Sequence, residues 1–191
     1  YLYGFGRTFG PREYLQLVSD AKAAVSVPII ASVNCVTAER WTEYAGKLAA
    51  AGADGLELNI GFLPNDPAIS GVDVEERYLN ILSAVRTKVS LPVAFKIGPY
   101  FSSLAHLAKQ LGNDRMTGPP FTVGWCGPGE NDKKVSWQGA DALVLFNRFY
   151  RFDIDVDKRQ LSGGNPYSTS EELHVSLRWI SLLAGRVACD L

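Results

Sequence analysis

The chain has 191 residues, 47% of them apolar and 20% charged, with a net charge of −1. That is enough for one domain with a real core, and the charge balance excludes non-specific attraction to nucleic acid or to an anionic membrane. No apolar run approaches the ~20 residues of a membrane span, and no basic-then-apolar leader is read. Cys35, Cys126 and Cys189 fit neither a disulfide framework nor a zinc spacing, which points to a reducing, cytoplasmic setting.

In chain order, the glycine-rich opening YLYGFGRTFG has no capped element before it. A helix is predicted over Pro11–Val25, with proline in its first turn and Tyr14, Leu15 and Val18 at helical spacing. PIIASVN (28–34) reads as a strand. Thr37 caps a helix through Ala51, and Gly52 stops it. GLELN (55–59) is the next strand, Val74–Val89 the third helix, PVAFK (92–96) the third strand and Ser102–Leu111 the fourth helix. ALVLFN (142–147) follows as a strand, then a helix over Ser168–Gly185 with an STSEE capping signal, then RVACD (186–190) as a final strand. Both ends read as cut, so a segment of a longer protein is expected.

Strands alternating with helices predict a parallel sheet and α/β architecture. VSVPIIASVN echoes VSLPVAFKI with the prolines 64 positions apart, and AGADGLELN echoes QGADALVLFN with the Ala-Asp pairs 87 apart. The excess of 23 marks an insertion at about 112–137, rich in Gly and Pro and without periodicity. A period of two βα units suggests a barrel built from repeats, although spacing alone leaves a doubly wound sheet open. The insertion follows a helix and precedes a strand, so it belongs on the face opposite a barrel's active site. Trp125 and Cys126 within it read as surface elaboration or partner contact.

The C-terminal ends of successive strands carry Asn34, Asn59, Lys96 and Asn147. Asparagine often ends strands by bonding backbone, yet convergent amides also suit a flat polar ligand. Lys96 closes an apolar run, where an ammonium needs a negative partner. Glu57 lies on the same strand face as Asn59 and is one candidate partner. Asp54 and Asp141 precede their strands and read as structural, and His106 and His174 fall inside helical patterns. Two chemistries fit the lysine. It can face the N1–O2 edge of a flavin, where reduction places negative charge. Or it can attack a carbonyl as a Schiff-base lysine, as class I aldolases do.

The runs PIIASVN, GADGLELNIGFLP, LPVAFKIGPYF, GADALVLFNRF and SEELHVSLRWISLLAGRVACDL together resemble the class 1 dihydroorotate dehydrogenase family, in particular its bacterial dihydroorotate dehydrogenase-like members. The resemblance covers nearly the whole chain outside the insertion. It implies a (β/α)8 TIM barrel holding FMN at its top, of which this chain supplies strands three to seven. By the same resemblance Asn34 and Asn59 lie near the flavin and Lys96 lies beside its N1. Asn59 and Asn147 hold the pyrimidine substrate, and Gly163-Gly164 approaches the flavin. The implied reaction, dihydroorotate to orotate in pyrimidine biosynthesis, removes a C5 proton to a base and a C6 hydride to the flavin. A homodimer and a dihydropyrimidine-like substrate are expected.

Three positions depart from the family pattern. The family's Cys or Ser base follows the strand-four asparagine, but here the run is Asn59-Ile60-Gly61-Phe62-Leu63-Pro64, with no group able to take a proton. Arg148 stands after Asn147 in place of a small hydroxyl residue, and the early loop carries Gly6-Arg7-Thr8 without an asparagine. Ser70, in the right loop, is a candidate displaced base. The barrel loops that bind phosphate follow strands seven and eight, beyond what the resemblance covers. A Schiff-base lyase using Lys96 and a non-catalytic flavin-binding barrel are the alternatives.

Overall fold

The computed structural model describes residues 10–35, 38–112, 138–148, 152–164 and 167–191. Thr37, Trp125, Cys126, the early loop and the body of the insertion lie outside them. Helix α1 (Pro11–Ala24) leads into β1 (Ile30–Val33), α2 (Ala38–Ala50), β2 (Gly55–Asn59), α3 (Gly71–Arg86), β3 (Val93–Ile97), α4 (Leu104–Leu111) and β4 (Ala142–Leu145). All four strands are parallel, in the order β1-β2-β3-β4. A doubly wound sheet would reverse its order within the sheet. The steady progression, with each helix packed on the next, is the winding of an arc of a (β/α) barrel.

Alternation along the strands separates two faces. Ala31, Val33, Leu56, Leu58, Val93, Phe95, Ile97 and Leu143 are buried beneath the helices. They meet Trp41, Ala45 and Leu48 from α2, Tyr78, Leu82 and Val85 from α3, and Leu104, Leu107 and Leu111 from α4. Each fully buried leucine here contributes about 1.5–3 kcal/mol. Tyr78 packs edge-on against Phe101, ring centroids 5.2 Å apart, and burial pushes its hydroxyl pKa up to about 12.

The sequence echo has a physical basis. Asp54 N–H donates to Ile29 O (2.8 Å), while its carboxylate accepts the Ile29 N–H (2.7 Å) and the Lys22 ammonium (2.7 Å). Asp141 repeats this clamp on Val93, donating to its carbonyl (2.9 Å) and accepting its N–H (2.7 Å), with Arg86 in the place of Lys22. Lys22 and Arg86, like Ile29 and Val93, are 64 positions apart, and the two aspartates are 87 apart. Each aspartate thus joins the start of one strand to the start of the next, and each borrows a cation from the helix that precedes the first strand of its pair, Lys22 from α1 and Arg86 from α3. The structural reading of Asp54 and Asp141 is met. Ala140 N–H bonds directly to Leu111 O (2.7 Å), which joins the end of α4 to the approach to β4 beside the second clamp.

Several boundaries differ from the sequence reading. Helix α3 starts at Gly71, three residues before the predicted Val74, because Ser70 caps it. Its hydroxyl accepts from Asp73 N–H (3.2 Å) and donates to the Asp73 carboxylate (2.6 Å). That bond lowers the Asp73 pKa, so the cap's contribution is present at neutral pH and fades as pH falls through the lowered value. Strand β3 runs on to Ile97, and β4 stops at Leu145, two residues short of Asn147. The predicted strand 186–190 is reduced to one parallel bridge, Ala142 to Asp190, after a turn at 184–186. Residues 153–162, given no element by the sequence reading, form an antiparallel hairpin of β5 (Asp153–Asp155) and β6 (Gln160–Ser162). After it come a 3-10 turn at Ser170–Glu172 and α5 (Leu173–Leu183). The last helix therefore begins later than Ser168. Among the described residues, no helix is long and apolar enough to cross a membrane.

Candidate functional site

The sheet face away from the helices carries the chemistry. Strand pairing sets it in rows: Ser32, Glu57, Ala94 and Ala142 lie abreast, and one step toward the C-terminal ends lie Asn59, Lys96 and Val144. A polar row inside a parallel sheet breaks the apolar pattern usual for such strands, and each member needs a partner.

Glu57 finds two. Ser32 Oγ donates to Glu57 Oε1 (2.6 Å), and Lys96 Nζ stands 3.8 Å from the same oxygen. The Lys96 and Glu57 side chains keep 28% and 19% of their surface exposed. The anion expected for Lys96 is therefore Glu57, as the strand periodicity allowed. At 3.8 Å the pair is a charge contact longer than a hydrogen bond, so it leaves the ammonium's donors uncommitted to Glu57. Ser32 is braced in turn, since its carbonyl accepts from the Tyr14 hydroxyl of α1 (2.7 Å). Burial raises the Tyr14 pKa, with the Glu57 charge adding to the rise. Tyr14 and Ser32 were missed by sequence reasoning. Tyr14 was read only as part of an apolar helix face. For Ser32 the signal was its alternation in PIIASVN, once Glu57 had been placed opposite it.

Asn59 shows the opposite kind of vacancy in its bonding. Its Oδ1 is buried and accepts no hydrogen bond among the described residues, a state that costs about 1–3 kcal/mol. Its register partner is Lys96. A buried acceptor without a donor thus belongs to the residue abreast of Lys96 in the sheet.

The other predicted site residues are placed differently. Asn147 is a clasp: its Nδ2 donates to Ile60 O (3.0 Å) and Lys96 O (3.5 Å), and its N–H to Ile97 O (2.8 Å). It fastens the ends of β2 and β3. Asn34 is exposed just past β1, close to Gly61, where an added Cβ would come within 3.2 Å of Asn34 Nδ2. Gly163 and Gly164 follow β6, the first exposed and the second half-buried. Ser70 is engaged as the α3 cap. Phe62, in the place of the expected base, packs on the core with the Arg77 guanidinium 4.2 Å from its ring centroid. Arg148 bonds Glu172 (3.0 Å) and Tyr167 O (2.8 Å), tying the end of β4 to the approach to α5. Among the described residues, no group of three or more His, Cys, Asp or Glu could hold a metal ion.

In sequence the chain is similar to a dihydroorotate dehydrogenase. The relative is the catalytic subunit of dihydroorotate dehydrogenase B (NAD(+)) from Thermoplasma volcanium, 29% identical over 160 residues. The match takes in 81% of this chain, but the chain spans only 42% of the relative's length. No family model matches. Similar solved structures include a dihydrodipicolinate synthase family protein from Coccidioides immitis (TM-score 0.41, 21% identity, 53% of this chain and 32% of that one). Another is dihydrodipicolinate synthase from Agrobacterium tumefaciens (TM-score 0.45, 20% identity, 55% and 35%). These overlays reach only about half of this chain, and no functional weight rests on them.

Proposed function

We propose that this chain is part of an FMN-dependent oxidoreductase of the dihydroorotate dehydrogenase type, acting on a planar, dihydropyrimidine-like ring. The observation that carries the reading is the pair Asn59–Lys96. A ligand edge with one N–H flanked by carbonyl or imine acceptors satisfies both groups at once, and the pyrimidine edge of a flavin has that pattern. Bound FMN supplies the acceptor for a hydride. Asn59 Oδ1 accepts the ligand N–H, Lys96 offsets negative charge at the adjoining oxygen, and Asn147 holds the two strand ends at fixed spacing. The similarity to a dihydroorotate dehydrogenase catalytic subunit supports the same assignment.

The substrate side is less like the relative's family. Phe62 cannot abstract a proton, so the substrate either differs from dihydroorotate or meets a base from elsewhere in the protein. Ser70 acts as a cap in this reading. Ser70→Ala is expected to lower stability by about 1 kcal/mol in urea unfolding while leaving flavin reduction unchanged. A large loss of reduction with normal flavin content would restore Ser70 as the base.

The test of the function is the absorbance spectrum of the purified full-length protein, followed by anaerobic addition of dihydropyrimidines. Flavin bands that bleach with substrate are expected. Absence of those bands, even after FMN is added, sinks the reading. Borohydride trapping of a carbonyl compound on Lys96 would instead support the lyase, which Glu57 disfavours by giving the ammonium a counter-charge. Bound flavin with no bleaching by any dihydropyrimidine would leave a binding barrel.

A further inference from the structure

We infer that Glu57 is a positioning residue that sets how much of the Lys96 charge reaches the cofactor, with Ser32 holding the carboxylate in place. This rests on the flavin reading above. Glu57 sits in the middle of a parallel strand, where a carboxylate is costly to bury. Its row neighbours Ala94 and Ala142 are small, which leaves room for the side chain on this face. Ser32 Oγ and Lys96 Nζ address the same oxygen, Oε1, at 2.6 and 3.8 Å. The serine hydroxyl takes the hydrogen bond and the ammonium is kept one step back. Lys96 is therefore partly neutralised without being tied down.

The consequence has a sign. Reduction of a flavin adds negative charge at its pyrimidine edge. An ammonium facing that edge favours the reduced form, and a carboxylate behind the ammonium weakens the effect. Glu57→Gln keeps the shape and the Ser32 contact but removes the opposing charge, so the midpoint potential rises. We expect about a tenfold gain in the reduced-to-oxidised ratio at fixed potential, or ~30 mV for a two-electron couple. Ser32→Ala, which preserves the Glu57 charge, does not raise it. A merely structural Glu57 would lower flavin content without an upward shift in potential.

The experiment is a redox titration of the flavin in the full-length protein and both variants. A rise in Glu57→Gln, absent in Ser32→Ala, supports the inference. Flavin bound in Glu57→Gln at an unchanged or lowered potential overturns it and leaves the flavin assignment standing. Wild-type protein without flavin overturns both. Should Glu57→Gln not retain flavin, Glu57→Asp decides: its carboxylate is drawn back by one methylene, so a smaller rise supports the inference and no rise overturns it.

Discussion

Asp141→Ala is expected to destabilise the fold by about 3 kcal/mol, the low end for breaking a buried ion pair. Arg86 is the reason. Its side chain is only 6% exposed, and it donates to Gly139 O (3.1 Å from Nε) and Leu91 O (3.0 Å from Nη1) as well as to Asp141. Without the carboxylate, a guanidinium remains buried with carbonyls but no counter-charge. The Val93 N–H at the start of β3 also loses its acceptor. Asp141 keeps 38% of its own side chain exposed, which is why the low end of the range applies. A stability of 5–15 kcal/mol is typical, so this loss is a large share. Urea unfolding checks it through a lower midpoint at unchanged slope. The matching change Asp54→Ala should cost less, because Lys22 is 38% exposed and can turn to water. A loss in Asp141→Ala below about 1 kcal/mol, the worth of an exposed pair, would show that the Arg86 clamp is not buried in solution.

The two clamps also show what the sequence made legible. The Ala-Asp echo and its displacement by 23 residues were visible because two backbone-anchored carboxylates impose the same local chemistry twice. Helices and parallel strands were legible for the same reason, since periodicity records burial. Strand order was not, because spacing is equal for a barrel arc and a doubly wound sheet; hydrogen-bonded register resolves it. The 153–162 hairpin escaped because its short strands, Asp153–Asp155 and Gln160–Ser162, are mostly exposed and carry little apolar alternation. Asn147 was ambiguous for a different reason. An amide at a strand end suits a ligand and a backbone clasp equally, and only the Ile60 and Lys96 carbonyls show that the clasp uses its Nδ2. Glu57 and Lys96 could be matched in advance, since both lie on one face by strand periodicity. Ser32 completes the set only through the pairing of β1 with β2.

Lys96→Met is expected to reduce substrate-driven flavin reduction about 100-fold, the usual loss when one preorganised charge or donor is removed from where negative charge develops. The loss should fall on the maximal rate more than on substrate affinity, because the charge that Lys96 meets appears during the reaction. Stability should fall by no more than about 1 kcal/mol, the upper worth of a long, partly exposed ion pair. The lysine stem packs much as methionine does, 28% of the side chain already faces outward, and Glu57 keeps its bond from Ser32. Lys96→Arg retains the charge at a different reach and should recover part of the rate. Stopped-flow reduction with urea unfolding in parallel separates the outcomes. A fall in rate with near-normal unfolding places the ammonium at the flavin edge where negative charge develops. Equal rates in wild type and Lys96→Met would mean that Lys96 serves only to neutralise Glu57. The unpartnered oxygen of Asn59, abreast of it in the sheet, would then need another explanation.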